Sequence, residues 1–145
     1  MKNKILILFL IGSILPSTAH ANDECIKGIT KFDACKKARE LSDQIAVTLP
    51  IKMSQNMTWE SIAAVGDTLI INIRLSYNKD LLEETLKPRG LSLEYAKEAL
   101  IEAAQNVCNE DTPTAAFVHL GGKIRYFYNF NKGERFSEIE INDCN

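Results

Sequence analysis

Residues 59–77 read WESIAAVGDTLIINIRLSY. From Thr68 onward, apolar and polar positions alternate. Leu69, Ile71, Ile73, Leu75 and Tyr77 share one side of an extended chain, and Ile70, Asn72, Arg74 and Ser76 share the other. Gly66-Asp67 breaks the pattern with two turn residues, so 59–65 and 68–77 are expected to pair as a β-hairpin. A hairpin with one apolar face needs a cover, and the flanking segments supply helices. Upstream, Ala38, Leu41, Ile45 and Leu49 recur at helical spacing and predict a helix over about 33–48, stopped by Pro50. Downstream, 78–90 reads as a polar connector holding a short helix over 79–87, ended by Pro88 and Gly90. Ser92 is the N-cap of a second long helix to about Val107, with Leu93, Ala96, Leu100, Ala104 and Val107 as its core stripe.

Three short strands are expected after Cys108: 114–120, then 123–130 across Gly121-Gly122, then 135–142 across Asn131-Lys132-Gly133. Ile124, Tyr126, Tyr128 and Phe130 share one face of the middle strand. The expected fold is therefore α+β, in the order α-β-β-α-β-β-β. A small, mainly antiparallel sheet of about five strands is covered on one face by two helices.

Residues 1–21 read as a secretory leader: Lys2 and Lys4, an apolar run from Ile5 to Leu15, and Ala19-His20-Ala21 as a small-x-small cleavage site. The run is too short to span a membrane. Cleavage would leave one domain of 124 residues, 22–145, large enough to bury a core. The leader takes two of the 17 basic residues, so 15 basic against 19 acidic residues leave a net charge of −4. A mildly acidic domain without a basic cluster argues against nucleic acid and anionic membrane as partners. The expected location is the periplasm or the outside of the cell.

All four cysteines, Cys25, Cys35, Cys108 and Cys144, follow the leader, and an even count in an exported chain reads as two disulfides. Of the three possible pairings, the local one, Cys25–Cys35 with Cys108–Cys144, is favoured; the other two stay open. No C-x-x-C is present, and His119 is not spaced as a ligand near any cysteine, so neither a metal nor a cofactor is expected. The first residue after the leader would be Asn22, not the cysteine that a bacterial lipoprotein requires, so no lipid anchor is expected.

Candidate chemistry is sparse. His119 lies beside Val118 and Leu120 on an expected strand, and Glu138 and Glu140 fall on one strand face about 7 Å apart. That separation is in the range of inverting glycosidase carboxyls, but i, i+2 strand carboxylates more often mark a solvated face. No nucleophile elbow, phosphate loop or metalloprotease motif accompanies them. No catalytic residue is assigned. The aromatic residues Tyr126 and Tyr128, with the sole tryptophan, Trp59, are the candidates for a partner-binding patch.

The run ARELSDQIAVTLPIK (38–52), the later hairpin, the helix closing on Cys108, HLGGKIRYFYNFNKGE (119–134) and the terminal INDCN resemble the small β-type pilotins of bacterial type II secretion. The resemblance spans about residues 36–145. It implies a bridge between Cys108 and Cys144 and a role in binding a short helical segment of the outer-membrane secretin subunit. Two departures stand out: those pilotins are lipoproteins, whereas Asn22 stands at the lipidation position, and Cys25 and Cys35 form an extra pair. The expected function is a non-enzymatic module that binds another envelope or secreted protein. The alternatives are an inhibitor or immunity-type protein, favoured by a protruding loop at 78–90, and a small hydrolase around His119.

Overall fold

The computed structural model describes residues 24–109 and 111–144. The expected leader and its cleavage site lie outside these residues. The chain opens with a small hairpin, β1 (Ile26–Lys27) and β2 (Phe32–Asp33), whose turn uses Gly28 and Lys31 at positive φ. The Asp33 carboxylate accepts from Lys36 N–H and caps α1 (Ala34–Ala46), satisfying an amide that the helix leaves without a partner. Ala34, Ala38 and Leu41 of α1 are buried and Ile45 packs against the same core, as the stripe predicts.

The main sheet has five strands in sequence order: β3 (Ile51–Ser54), β4 (Met57–Val65), β5 (Thr68–Leu75), β6 (Lys123–Asn129) and β7 (Arg135–Ile141). Three pairings are antiparallel, while β5 and β6 run parallel, with Thr68 opposite Lys123. A parallel pair needs a long crossover. Here it is built from α2 (Lys79–Leu86), α3 (Leu93–Gln105) and α4 (Pro113–His119), with 3-10 turns at Lys87–Arg89 and Asn106–Asn109. Asn78, Ser92 and Thr112 cap the three helices.

The fold is α+β and mainly antiparallel, as expected, with two differences of detail. Residues 114–120, expected as a strand, lie almost wholly in α4. Thr112 Oγ1 accepts from Ala115 N–H at 3.2 Å, Pro113 occupies the first helical turn, and Ala115, Phe117 and Val118 are buried. The fifth strand is instead β3, a four-residue edge strand in which Ile51 and Met53 alternate with Lys52 and Ser54 for too short a run to mark it, all four residues being exposed. Four helices are present among the described residues: the two long ones and the short one expected over 79–87, with α4 in addition.

The helices cover one face: α1 packs over β4 and β5, α3 against β7, and α4 against α1 and β6. Leu69, Ile71, Ile73, Leu75, Ile124, Tyr128, Ile139 and Ile141 project into the core beneath them. The other face is open and carries Arg74, Arg125, Phe127, Glu138 and Glu140; the Arg135 guanidinium lies 3.7 Å over the Phe127 ring.

Two disulfides staple the domain, Cys25–Cys35 and Cys108–Cys144, with Cα separations of 5.1 and 5.3 Å. The first ties the β1–β2 hairpin to α1. The hairpin is also pinned to the β4–β5 turn: Lys27 Nζ lies 2.8 Å and Lys123 Nζ 3.4 Å from the Asp67 carboxylate. Burial pushes that carboxyl up, but hydrogen bonds from Lys27 and Thr68 and the charges of Lys123 and Lys27 outweigh it. The group ends below the usual carboxylate range.

Candidate functional site

The covered face is not covered throughout. Between the β3–β4 hairpin on one side and α3 on the other runs a groove of about 230 Å³. Its floor is Ile71 and Ile73 of β5 with Tyr126 and Tyr128 of β6. Met53, Met57 and Trp59 form one wall, and Leu100, Ala103, Ala104 and Val107 form the other, with Thr114 of α4 among the lining residues. None of the lining residues is charged.

Sequence periodicity explains how each side chain arrives there. Met57 pairs with Leu75 and Trp59 with Ile73, and a bulge at Glu60 then resets β4 so that Ile62 and Ala64 stay on the apolar side. The indole N–H of Trp59 spans that bulge and donates to Ser61 O at 3.1 Å. The ring is thereby held half-buried along the groove wall. Tyr126 and Tyr128 are i, i+2 neighbours, stacked with ring centroids 6.3 Å apart. Tyr128 is 4% exposed, and burial pushes its phenol up to about 12, so it stays protonated at any physiological pH.

The three aromatics singled out from the sequence thus come together in one groove. Sequence reading missed Met53, on the short β3, and Met57, because the expected strand began only at Trp59. It placed Leu100 and Ala104 in a closed core stripe, whereas Leu100 is only half-buried along the groove and Ala103, outside that stripe, is exposed beside it. The spacing Leu100, Ala103, Ala104, Val107 is a helical stripe, so the wall was legible as a face but not as a vacancy.

The other candidates are held elsewhere. His119 sits at the end of α4, not on a strand, and its Nε2 lies 3.2 Å from Cys108 O. On the open face, Arg125 engages Glu140 at 2.9 Å and Glu138 at 3.7 Å. The structure does not assemble His119 with these carboxylates. Among the described residues, no group of three or more His, Cys, Asp or Glu is placed to hold a metal, and no helix is long and apolar enough to cross a membrane.

Comparison with solved structures places this architecture. The pilotin EpsS from the Vibrio vulnificus type 2 secretion system matches with a TM-score of 0.59 at 13% identity, over 77% of this chain and 92% of that one. The chain shares the pilotin fold. The type II secretion pilotin AspS from Vibrio cholerae matches with a TM-score of 0.50 at 9% identity, covering 75% and 88% of the two chains. A Pseudomonas aeruginosa protein described as secreted matches with a TM-score of 0.56 at 12% identity, over 79% and 94%. No protein-family model matches the chain, and no curated protein matches it.

Proposed function

We propose that this chain is an exported, non-enzymatic protein-binding module of the periplasm, a soluble pilotin-like factor whose groove takes an apolar segment of a secretion or envelope-assembly subunit. One observation carries the proposal: an uncharged groove, walled by the sole tryptophan and two methionines, opens on a pilotin fold. Apolar surface of this kind gains free energy when a partner covers it, and methionines adapt to varied partner shapes. The two disulfides suit an oxidising compartment. The inhibitor reading asked for a protruding loop at 78–90. Those residues instead form α2 and a 3-10 turn, with Leu82 in the core.

The test is a photo-crosslinking amino acid placed at Met53, on the groove wall, and separately at Val65, an exposed residue at the far end of β4. In cells, the Met53 position should capture a secretin or another secretion-assembly subunit, and the Val65 position should not. Equal capture at both positions, or capture of a toxin or hydrolase at Met53, would refute the proposal.

A further inference from the structure

The two disulfides sit in different surroundings. Cys35 is 5% exposed at the buried start of α1. Cys108 and Cys144 are both half-exposed and line a polar cleft of about 360 Å³ with Gln105, Glu140, Asn142 and Asp143. A thiol can approach either sulfur of the second bond but only Cys25, also half-exposed, of the first, where attack would expel Cys35 as a buried thiolate; exchange depends on both access and the leaving thiol.

The accessible bond also sits directly behind the groove wall. Cys108 follows Val107 in the 3-10 turn that ends α3, and Ala104 and Val107 line the groove. The rest of α3 is lightly held. Of its 13 residues only Ala104 is buried, whereas α1, of equal length, buries five. Leu93, Ala96 and Leu100 are half-buried, and Tyr95 and Ile101 are exposed. A helix with so little buried surface relies on its anchors, and Cys108–Cys144 is the covalent one.

We propose that Cys108–Cys144 is a redox latch on the groove, opened by a dithiol of the thiol–disulfide exchange class, while Cys25–Cys35 is a permanent staple. A donor thiolate attacks one sulfur, the Cys108–Cys144 bond breaks and a mixed disulfide forms. The donor's second thiol resolves it. Two electrons and two protons pass to the protein, leaving two cysteine thiols and an oxidised donor. With the bond open, the C-terminal end of α3 separates from the tail after β7, and the groove loses the wall formed by Leu100, Ala103 and Val107. The core of α1 and the central strands remains. This regulation rests on the groove being the docking site.

The test is limited reduction of the native protein with dithiothreitol, alkylation of the freed thiols and mass spectrometry, followed by hydrogen exchange. Cys108 and Cys144 should be alkylated at least tenfold faster than Cys25 and Cys35. Amides over 93–109 should lose protection, while α1 and β5 stay slow to exchange. A Cys108→Ser/Cys144→Ser variant should reproduce the reduced pattern without reductant. Opening of both bonds together, unchanged protection of 93–109, or loss of protection everywhere would each overturn the latch. Repeating the Met53 crosslink on both redox forms separates the two readings. Capture by the oxidised form alone supports both. Equal capture by the two forms overturns the latch and leaves the docking site standing. No capture by either form, with α3 loosened, removes the docking site and keeps the control of α3.

Discussion

Replacing Gly122 by alanine tests how tightly the crossover is seated on the sheet. Gly122 is buried just before β6, and its N–H donates to Phe117 O at 3.0 Å. A Cβ at this position would overlap the Phe117 ring. That ring is 1% exposed and meets Phe32 edge-on at 6.4 Å, so it has little room to yield. Gly122 is not in the left-handed region, so alanine carries no backbone penalty there and the cost is steric. Overpacking a closed core costs about 1–3 kcal/mol, and a ring fixed on both sides puts Gly122→Ala near the upper end. For a domain of this size, about 3 kcal/mol lowers Tm by roughly 12 °C. Gly133→Ala is the control: its φ is +86° and nothing lies near its Cβ, so strain alone should cost about 1 kcal/mol. Urea and thermal unfolding of Gly122→Ala, Phe117→Leu and the double variant close a mutant cycle. The smaller side chain should relieve the clash, leaving the double variant at least about 1 kcal/mol more stable than the sum of the singles. A Gly122→Ala protein within about 0.5 kcal/mol of the parent, or strict additivity, would refute the reasoning.

Ala103→Arg places a charged side chain in the groove from an exposed position, so Tm should hold within about 2 °C while the Met53 crosslink is lost; a retained crosslink would show that the partner docks elsewhere. Cys108→Ser/Cys144→Ser should lower stability by about 4 kcal/mol and Cys25→Ser/Cys35→Ser by about 3 kcal/mol, in the order of loop length, as read by urea unfolding. Asp67→Asn should cost about 1 kcal/mol at neutral pH. Because the folded carboxyl titrates below its usual value, its stabilisation is present above that value and lost as pH falls through the folded one, so parent and variant should converge in acid. Tyr128 works in the opposite direction. Its folded pKa is raised to about 12 from 10.0, so its contribution is complete below pH 10.0 and lost as pH rises towards about 12; Tyr128→Phe should flatten alkaline unfolding.

Local elements were legible because their signals lie within a few residues of each other. The period-two run 68–75, the Gly66-Asp67 turn, the Ser92 cap and the stripe of α1 all read correctly from neighbours in sequence. Residues 114–120 failed because Ala115, Phe117 and Val118 satisfy a strand pattern as readily as a short helix. The cap-and-proline pair Thr112-Pro113 was the deciding signal. β3 failed because its alternation, Ile51 and Met53 against Lys52 and Ser54, runs for only four exposed residues directly after Pro50.

Residue order alone determines that this chain has a hairpin, amphipathic helices and four cysteines, since each depends on composition or on spacing over less than about four turns. The parallel pairing of Thr68 with Lys123, 55 residues away, the choice of disulfide partners and the groove belong to the tertiary structure. A stripe of Leu100, Ala103, Ala104 and Val107 has the same pattern whether it closes a core or lines an opening. Only the placement of α3 against β7 decides that it stands apart from Trp59 and leaves Tyr126 and Tyr128 as the floor between them.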